Sequence, residues 1–266
     1  DGNHVLVGYK GGAVRLWDAE TGALIRTYPS HSDKVTSLAF SSDGTKILTG
    51  SLDKKVKLFD KATAVLIHTY TFFGKVHSVA FSPDDSQMLV GLERYYTGVG
   101  YVNPGAHLLD VNTGDLIRRF KDGQKGSVTT VAFSPDGTQV LTRADNCISM
   151  YWELPDATAK LWDKATGTEI HTFDYANRGV ICAAFSPDGT QILIGASREW
   201  EFYGLVDMVD ASTGVRIRTF EGHTANVHSV DFSPDGTKVI AGAMDGTTRL
   251  WNMSNGNRIF TICSNP

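Results

Sequence analysis

The same phrase is written six times along a chain of 266 residues. A short apolar strand runs into a turn of the Ser-Pro-Asp-Gly type, and a second apolar strand follows. Leu-Trp-Asp, Thr-Gly and Ile-Arg-Thr-Phe complete the phrase. It returns at roughly forty to fifty residues, the period of a propeller built from repeated four-stranded sheets. The first turns fall at Ser41 to Gly44, Ser82 to Asp85, Ser134 to Gly137, Ser186 to Gly189 and Ser233 to Gly236. The later signposts are Leu16-Trp17-Asp18, Leu58-Phe59-Asp60, Leu108-Leu109-Asp110, Leu161-Trp162-Asp163, Met208-Val209-Asp210 and Leu250-Trp251-Asn252. Repeats that cannot bury their faces singly form one continuous structure, so residues 1–266 read as a single all-β domain. Its units lie at about 1–28, 31–70, 76–120, 128–173, 180–220 and 227–262.

In the unit running from Lys34 to Tyr70, the pattern predicts antiparallel strands at Val35–Phe40, Lys46–Ser51, Val56–Asp60 and Val65–Tyr70. Thr63-Ala64 stands at the turn where other repeats have Thr-Gly. The outer strand places Arg26, His68, Arg118, His171 or Arg218 between apolar neighbours, a pattern that protects an exposed sheet edge and reads as solvated. Asp1-Gly2 aligns with Asp43-Gly44, so the first unit lacks its inner strand and the sequence reads as a fragment of a longer chain.

These residues resemble the WD-repeat β-propeller family, in the tandem style of its bacterial members, and the resemblance covers essentially the whole chain. It implies a ring that is expected to hold seven blades when intact. It also implies a structural hydrogen-bond network of His, Ser or Thr, Asp and Trp within a blade. His31, Thr49 and Asp53 match three of its members, with Phe59 in place of the Trp. His223, Asp245 and Trp251 match in the last repeat, with Ala241 in place of the hydroxyl.

One region departs from the pattern. The path between the second and third strands is short from Gly50 to Asp60 and from Gly242 to Asn252, but it lengthens from Gly91 to Asp110, Arg143 to Asp163 and Gly195 to Asp210. In the family these loops lie on one rim, so the three insertions are expected to crowd one sector. Their residues are aromatic and of mixed charge: Arg94, Tyr95, Tyr96 and Tyr101, then Tyr151 and Trp152, then Arg198, Trp200, Phe202 and Tyr203. Tyr, Trp and Arg dominate interface energetics, which makes these ten residues candidate partner-binding positions. The alternative is a self-packed cap of extended hairpins, with Thr97-Gly98 as one turn.

Other function classes find less support. A net charge of -4 supplies no field for nucleic acid or an anionic membrane surface. No apolar run approaches the roughly 20 residues of a membrane span. Cys147, Cys182 and Cys263 fall at unrelated points of the repeat, which argues against a disulfide framework or zinc site and leans toward a reducing, cytoplasmic setting. His77 and His228 share a strand position in two non-adjacent repeats, with Asp231 near the second, but Thr36, Thr129 and Ile181 occupy it elsewhere, so no metal is expected. No phosphate-binding loop, G-x-S-x-G elbow or H-E-x-x-H occurs, and no cofactor is expected. The expected function is a non-catalytic scaffold or sensor for protein or peptide partners, a monomeric propeller within a larger polypeptide. The alternatives are a propeller hydrolase, for which Glu93, Glu153, Glu199 and Glu201 are the rim carboxylates, or an intramolecular regulator of a fused signalling domain.

Overall fold

A computed structural model describes residues 2–121, 126–145, 157–175, 179–196 and 204–263. The fold is all-β, with no helix among the described residues. The chain divides into two compact units, residues 1–123 with 127–133, and residues 124–126 with 134–266.

In the first unit, β1 (His4–Gly8), β2 (Val14–Asp18) and β3 (Leu24–Tyr28) form a three-stranded sheet in chain order. The next sheet is β4 (Val35–Phe40), β5 (Lys46–Ser51), β6 (Lys55–Asp60) and β7 (Leu66–Thr71). The third holds β8 (Val76–Phe81), β9 (Gln87–Leu92), β12 (Ala106–Asp110) and β13 (Leu116–Phe120), while β10 (Tyr95–Tyr96) and β11 (Tyr101–Val102) pair separately. Strand β14 (Ser127–Phe133) also belongs to this unit.

In the second unit lie β15 (Gln139–Asp145), β16 (Thr158–Asp163) and β17 (Glu169–Phe173), and the fourth sheet has the order β14-β15-β16-β17. The fifth is β18 (Val180–Phe185), β19 (Gln191–Ala196), β20 (Leu205–Asp210) and β21 (Arg216–Thr219). The sixth is β22 (Val227–Phe232), β23 (Lys238–Ala243), β24 (Thr247–Asn252) and β25 (Arg258–Cys263). Six antiparallel blades of a β-propeller result, the first without its inner strand.

Turn chemistry explains why the strands break where they do. Ser41 Oγ donates to Asp43 Oδ1 at 2.6 Å and accepts from Lys46 N at 2.8 Å, while Asp43 Oδ1 accepts from Thr45 N at 2.8 Å. The hydrogen bond from Ser41, then those from Thr45, hold the Asp43 carboxyl down at about 2. The same box recurs at Ser82/Asp84, Ser134/Asp136, Ser186/Asp188 and Ser233/Asp235. Where the other repeats place glycine, Asp85 takes a left-handed φ of 58°. Its carboxylate reaches back to the preceding blade, accepting from Ser42 N at 2.7 Å and Asp43 N at 3.1 Å. Backbone strain at Asp85 thus secures a bond that glycine could not make.

Packing between successive sheets depends on a glycine at the end of the second strand. A Cβ at Gly8, Gly50 or Gly195 would lie 2.6, 2.7 or 2.9 Å from the Cγ1 of Val35, Val76 or Val227 in the next sheet. In the fourth sheet Arg143 holds this position. Its Nε donates to Val180 O at 2.7 Å, and its guanidinium forms a two-pronged ion pair with Asp145. The outer strands are tied forward as well. Tyr28 Oη donates to Lys61 O at 2.8 Å, and Tyr70 Oη donates to Val111 O. Two of the cationic outer-strand side chains, though partly exposed, also bond forward. His171 Nε2 donates to Ser212 O at 2.7 Å, and Arg218 donates to Ser254 O at 2.9 Å, so each grips the third-to-fourth-strand turn of the next blade. Leu48, Val56, Val76, Val90 and Leu109 fill the space between the second and third sheets, and Val206, Val227, Val239 and Trp251 that between the fifth and sixth.

Candidate protein-interaction site

The first lengthened path rises from β9 into the β10–β11 hairpin. Glu93 N donates to Lys75 O at 2.8 Å, the Glu93 carboxylate pairs with Lys75 at 3.4 Å, and Arg94 N donates to Ser127 Oγ at 3.1 Å. These bonds fix the base of the hairpin on β8's approach and β14. Above them Tyr95 pairs with Val102 and Tyr96 with Tyr101. Thr97 closes the turn through its N and Oγ1 to Gly100 O, each at 3.0 Å, and Gly98 takes a φ of 89° that side chains resist.

Four of the ten candidate residues meet on this hairpin. The Arg94 guanidinium lies 4.1 Å from the Tyr101 ring centre, Tyr96 meets Tyr101 edge-on at 5.2 Å, and Tyr95 stacks on Phe73 at 6.1 Å. The rings pack on one another and still face solvent: Tyr96 and Tyr101 are 61% and 65% exposed. Tyr151, Trp152, Glu153, Arg198, Glu199, Trp200, Glu201, Phe202 and Tyr203 lie outside the described residues. Phe73 escaped the sequence reading. Its signal was an apolar Phe72-Phe73 pair in the connection where other repeats carry Ser30-His31 and Gly222-His223.

The intrablade network is distributed unevenly. In the second blade His31 Nδ1 lies 2.9 Å from Asp53 Oδ2 and His31 Nε2 lies 2.7 Å from Thr49 Oγ1. Burial pushes the His31 imidazole below its usual range against the pull of Asp53. Burial alone would raise the Asp53 carboxyl, but hydrogen bonds from His31 and Ser32 outweigh it and hold the group low. The fourth blade carries the complementary half, Trp162 Nε1 donating to Thr142 Oγ1 at 2.8 Å. In the sixth, His223 Nδ1 lies 2.9 Å from Asp245 Oδ2, and its ring meets Trp251 edge-on at 5.6 Å. Ala241 supplies no hydroxyl there, and the buried His223 Nε2 has no hydrogen-bond partner.

Ala241→Thr is therefore expected to stabilise the protein by about 1 kcal/mol, the net worth of one buried hydrogen bond, raising Tm by about 2–4 °C. Differential scanning calorimetry reads this directly, and an unchanged or lower Tm would mean that the hydroxyl does not reach His223. His77 is half-buried on β8, and His228 and Asp231 are exposed on β22. No three His, Cys, Asp or Glu side chains cluster for a metal among the described residues.

Blades of this design, with aspartate-closed turns and a His-Asp pair joining the approach to the first strand to the turn between the second and third, define a β-propeller repeat protein. The chain carries repeats of the WD-repeat family. The family described as WD domain, G-beta repeat matches residues 22–60, 114–153 and 214–252. The first match joins β3 of one sheet to β4, β5 and β6 of the next, so sequence repeat and blade are offset by a strand. WD repeat-containing protein SL1-17 of Schistosoma mansoni is 28% identical over 71% of this chain and 71% of its own length. Human WD repeat-containing protein 36 is 31% identical over 30% of this chain and 9% of its own length. Eukaryotic translation initiation factor 3 subunit I of Phaeosphaeria nodorum is 32% identical over 40% of this chain and 31% of its own length. The chain thus spans less than a third of two of these relatives. Propellers of this family generally serve as non-catalytic protein-interaction scaffolds.

Proposed function

We propose that this propeller is a scaffold or sensor that holds protein or peptide partners on the long second-to-third-strand loops of its third, fourth and fifth blades, the six blades acting as one domain. The observation that carries the reading is the pair Tyr96 and Tyr101, mutually packed, backed by Arg94 and still mostly exposed. A hairpin already ordered by its own contacts loses little entropy when a partner docks. Its rings offer large contact area with few torsions to freeze. The relative named as a translation initiation factor subunit is by that name a part of an assembly, which supports an interaction role.

Tyr96→Ser with Tyr101→Ser tests the reading. Loss of two aromatic anchors at about 2 kcal/mol each is expected to abolish capture of partners co-purifying with the wild-type protein, while the exposed positions leave Tm within a degree or two. Unchanged capture by the folded double variant would overturn it.

A further inference from the structure

A cleft of about 310 Å³ opens on the other side of the β10–β11 hairpin, between the end of β7 and the outer strands β12 and β13 of the third sheet. Its apolar walls are Phe72, Phe73, Tyr95 and Leu109, and its outer lip carries Arg119 and Lys121. Neither cation has an ion-pair partner among the described residues, and no Asp or Glu lines the cleft. In a chain of net charge -4 this is a locally cationic, apolar recess. Its volume lies at the small end of ligand pockets, suited to a side chain or two rather than a large cofactor.

Two polar atoms in the wall lack partners. Asn103 Nδ2 and His107 Nε2 are buried without a hydrogen bond, although Asn103 Oδ1 accepts from Gly105 N at 3.1 Å. Burial, reinforced by Arg119, lowers the His107 imidazole to about 4, so it is neutral at neutral pH. A neutral imidazole offers an acceptor and an amide nitrogen a donor, the groups that a peptide's N–H and C=O would match. A buried polar atom left unpaired is costly, and a guest that draws these two into hydrogen bonds recovers that cost.

We infer that this cleft binds an extended peptide segment, seating an apolar side chain against Phe73, Tyr95 and Leu109 and an adjacent Asp or Glu carboxylate on Arg119 and Lys121. The inference goes beyond the hairpin-face reading above, since Tyr96 and Tyr101 point to a different surface and do not line the cleft. The carboxylate supplies direction, because only one end of the cleft is cationic.

The test is a selection of random peptides displayed on phage against the full chain, followed by fluorescence anisotropy with the top sequence as a labelled synthetic peptide. Enrichment of an apolar residue next to Asp or Glu is expected. Arg119→Glu with Lys121→Glu, both at exposed positions, is expected to weaken the labelled peptide at least tenfold without lowering Tm. Tyr96→Ser with Tyr101→Ser is expected to leave it unchanged. No enrichment, enrichment of basic sequences, or affinity untouched by the charge reversal would overturn the inference. Loss of binding in the tyrosine variant alone would also overturn it, while leaving the hairpin-face reading intact.

Discussion

Asp53→Ala is expected to destabilise the protein by about 3–5 kcal/mol, since one carboxylate's hydrogen bonds to three groups are lost together and a hydrogen bond to a charged group is worth about 1.5–3 kcal/mol. The Asp53 side chain is 3% exposed and that of His31 is wholly buried. One carboxylate serves three groups: it meets His31 Nδ1 at 2.9 Å and accepts from Ser32 N at 3.1 Å and Lys55 N at 3.0 Å. Truncation strands the buried His31 Nδ1 and removes the side-chain acceptor of the Ser32 and Lys55 amides. At about 2–4 °C per kcal/mol, Tm should fall by about 10 °C. Asp53→Asn keeps an acceptor oxygen and should lose markedly less. A fall of only a degree or two for Asp53→Ala would show that solvent reaches the site and that the network adds little. The sixth blade provides an internal comparison, because its histidine already lacks one partner.

Gly91→Ala is expected to cost about 2–3 kcal/mol, the scale of overpacking a filled core by one methyl. The direction is informative, because alanine in a strand interior is ordinarily favoured over glycine by about 0.5–1 kcal/mol. At Gly91 the added Cβ would stand 2.8 Å from Val128 O and 3.2 Å from the Cγ1 atoms of Val128 and Val131. A backbone carbonyl cannot swing aside as a long side chain can, so the neighbouring strand must move. Gly11→Ala is the control, for nothing lies within 4 Å of its added Cβ and no positive φ opposes it. Urea denaturation of both variants should show a large loss at residue 91 and almost none at residue 11. Equal effects would remove the steric account of the strand-end glycines.

Much of the fold was legible because its signals are local. Alternating apolar residues and the Ser-x-Asp-Gly and Asp-x-x-Thr-Gly turns act within five residues of themselves, so the four predicted strands of the second blade match β4 to β7 to within a residue. The Thr97-Gly98 turn was readable for the same reason. Of the candidate site, the clustering of Arg94, Tyr95, Tyr96 and Tyr101 follows from hairpin pairing alone. The participation of Phe73 does not, since it arrives from the preceding blade's connection.

By itself the sequence determined the repeat, the antiparallel strands, the turn positions and the placement of aromatic residues in the lengthened paths. Only the tertiary structure decided why glycine ends the second strand and that Arg143 replaces it by bonding Val180 O. It also decided that Asp85 secures the turn of the blade before it, and that Arg119, His107 and Phe73 wall one cleft. The physical reason is range. Backbone pairing and Asx turns join residues a few positions apart and leave a periodic trace. Contacts between blades join residues about forty positions apart, and although the glycine and its valine recur with the repeat, their meeting is decided by shape and hydrogen bonding in the folded chain.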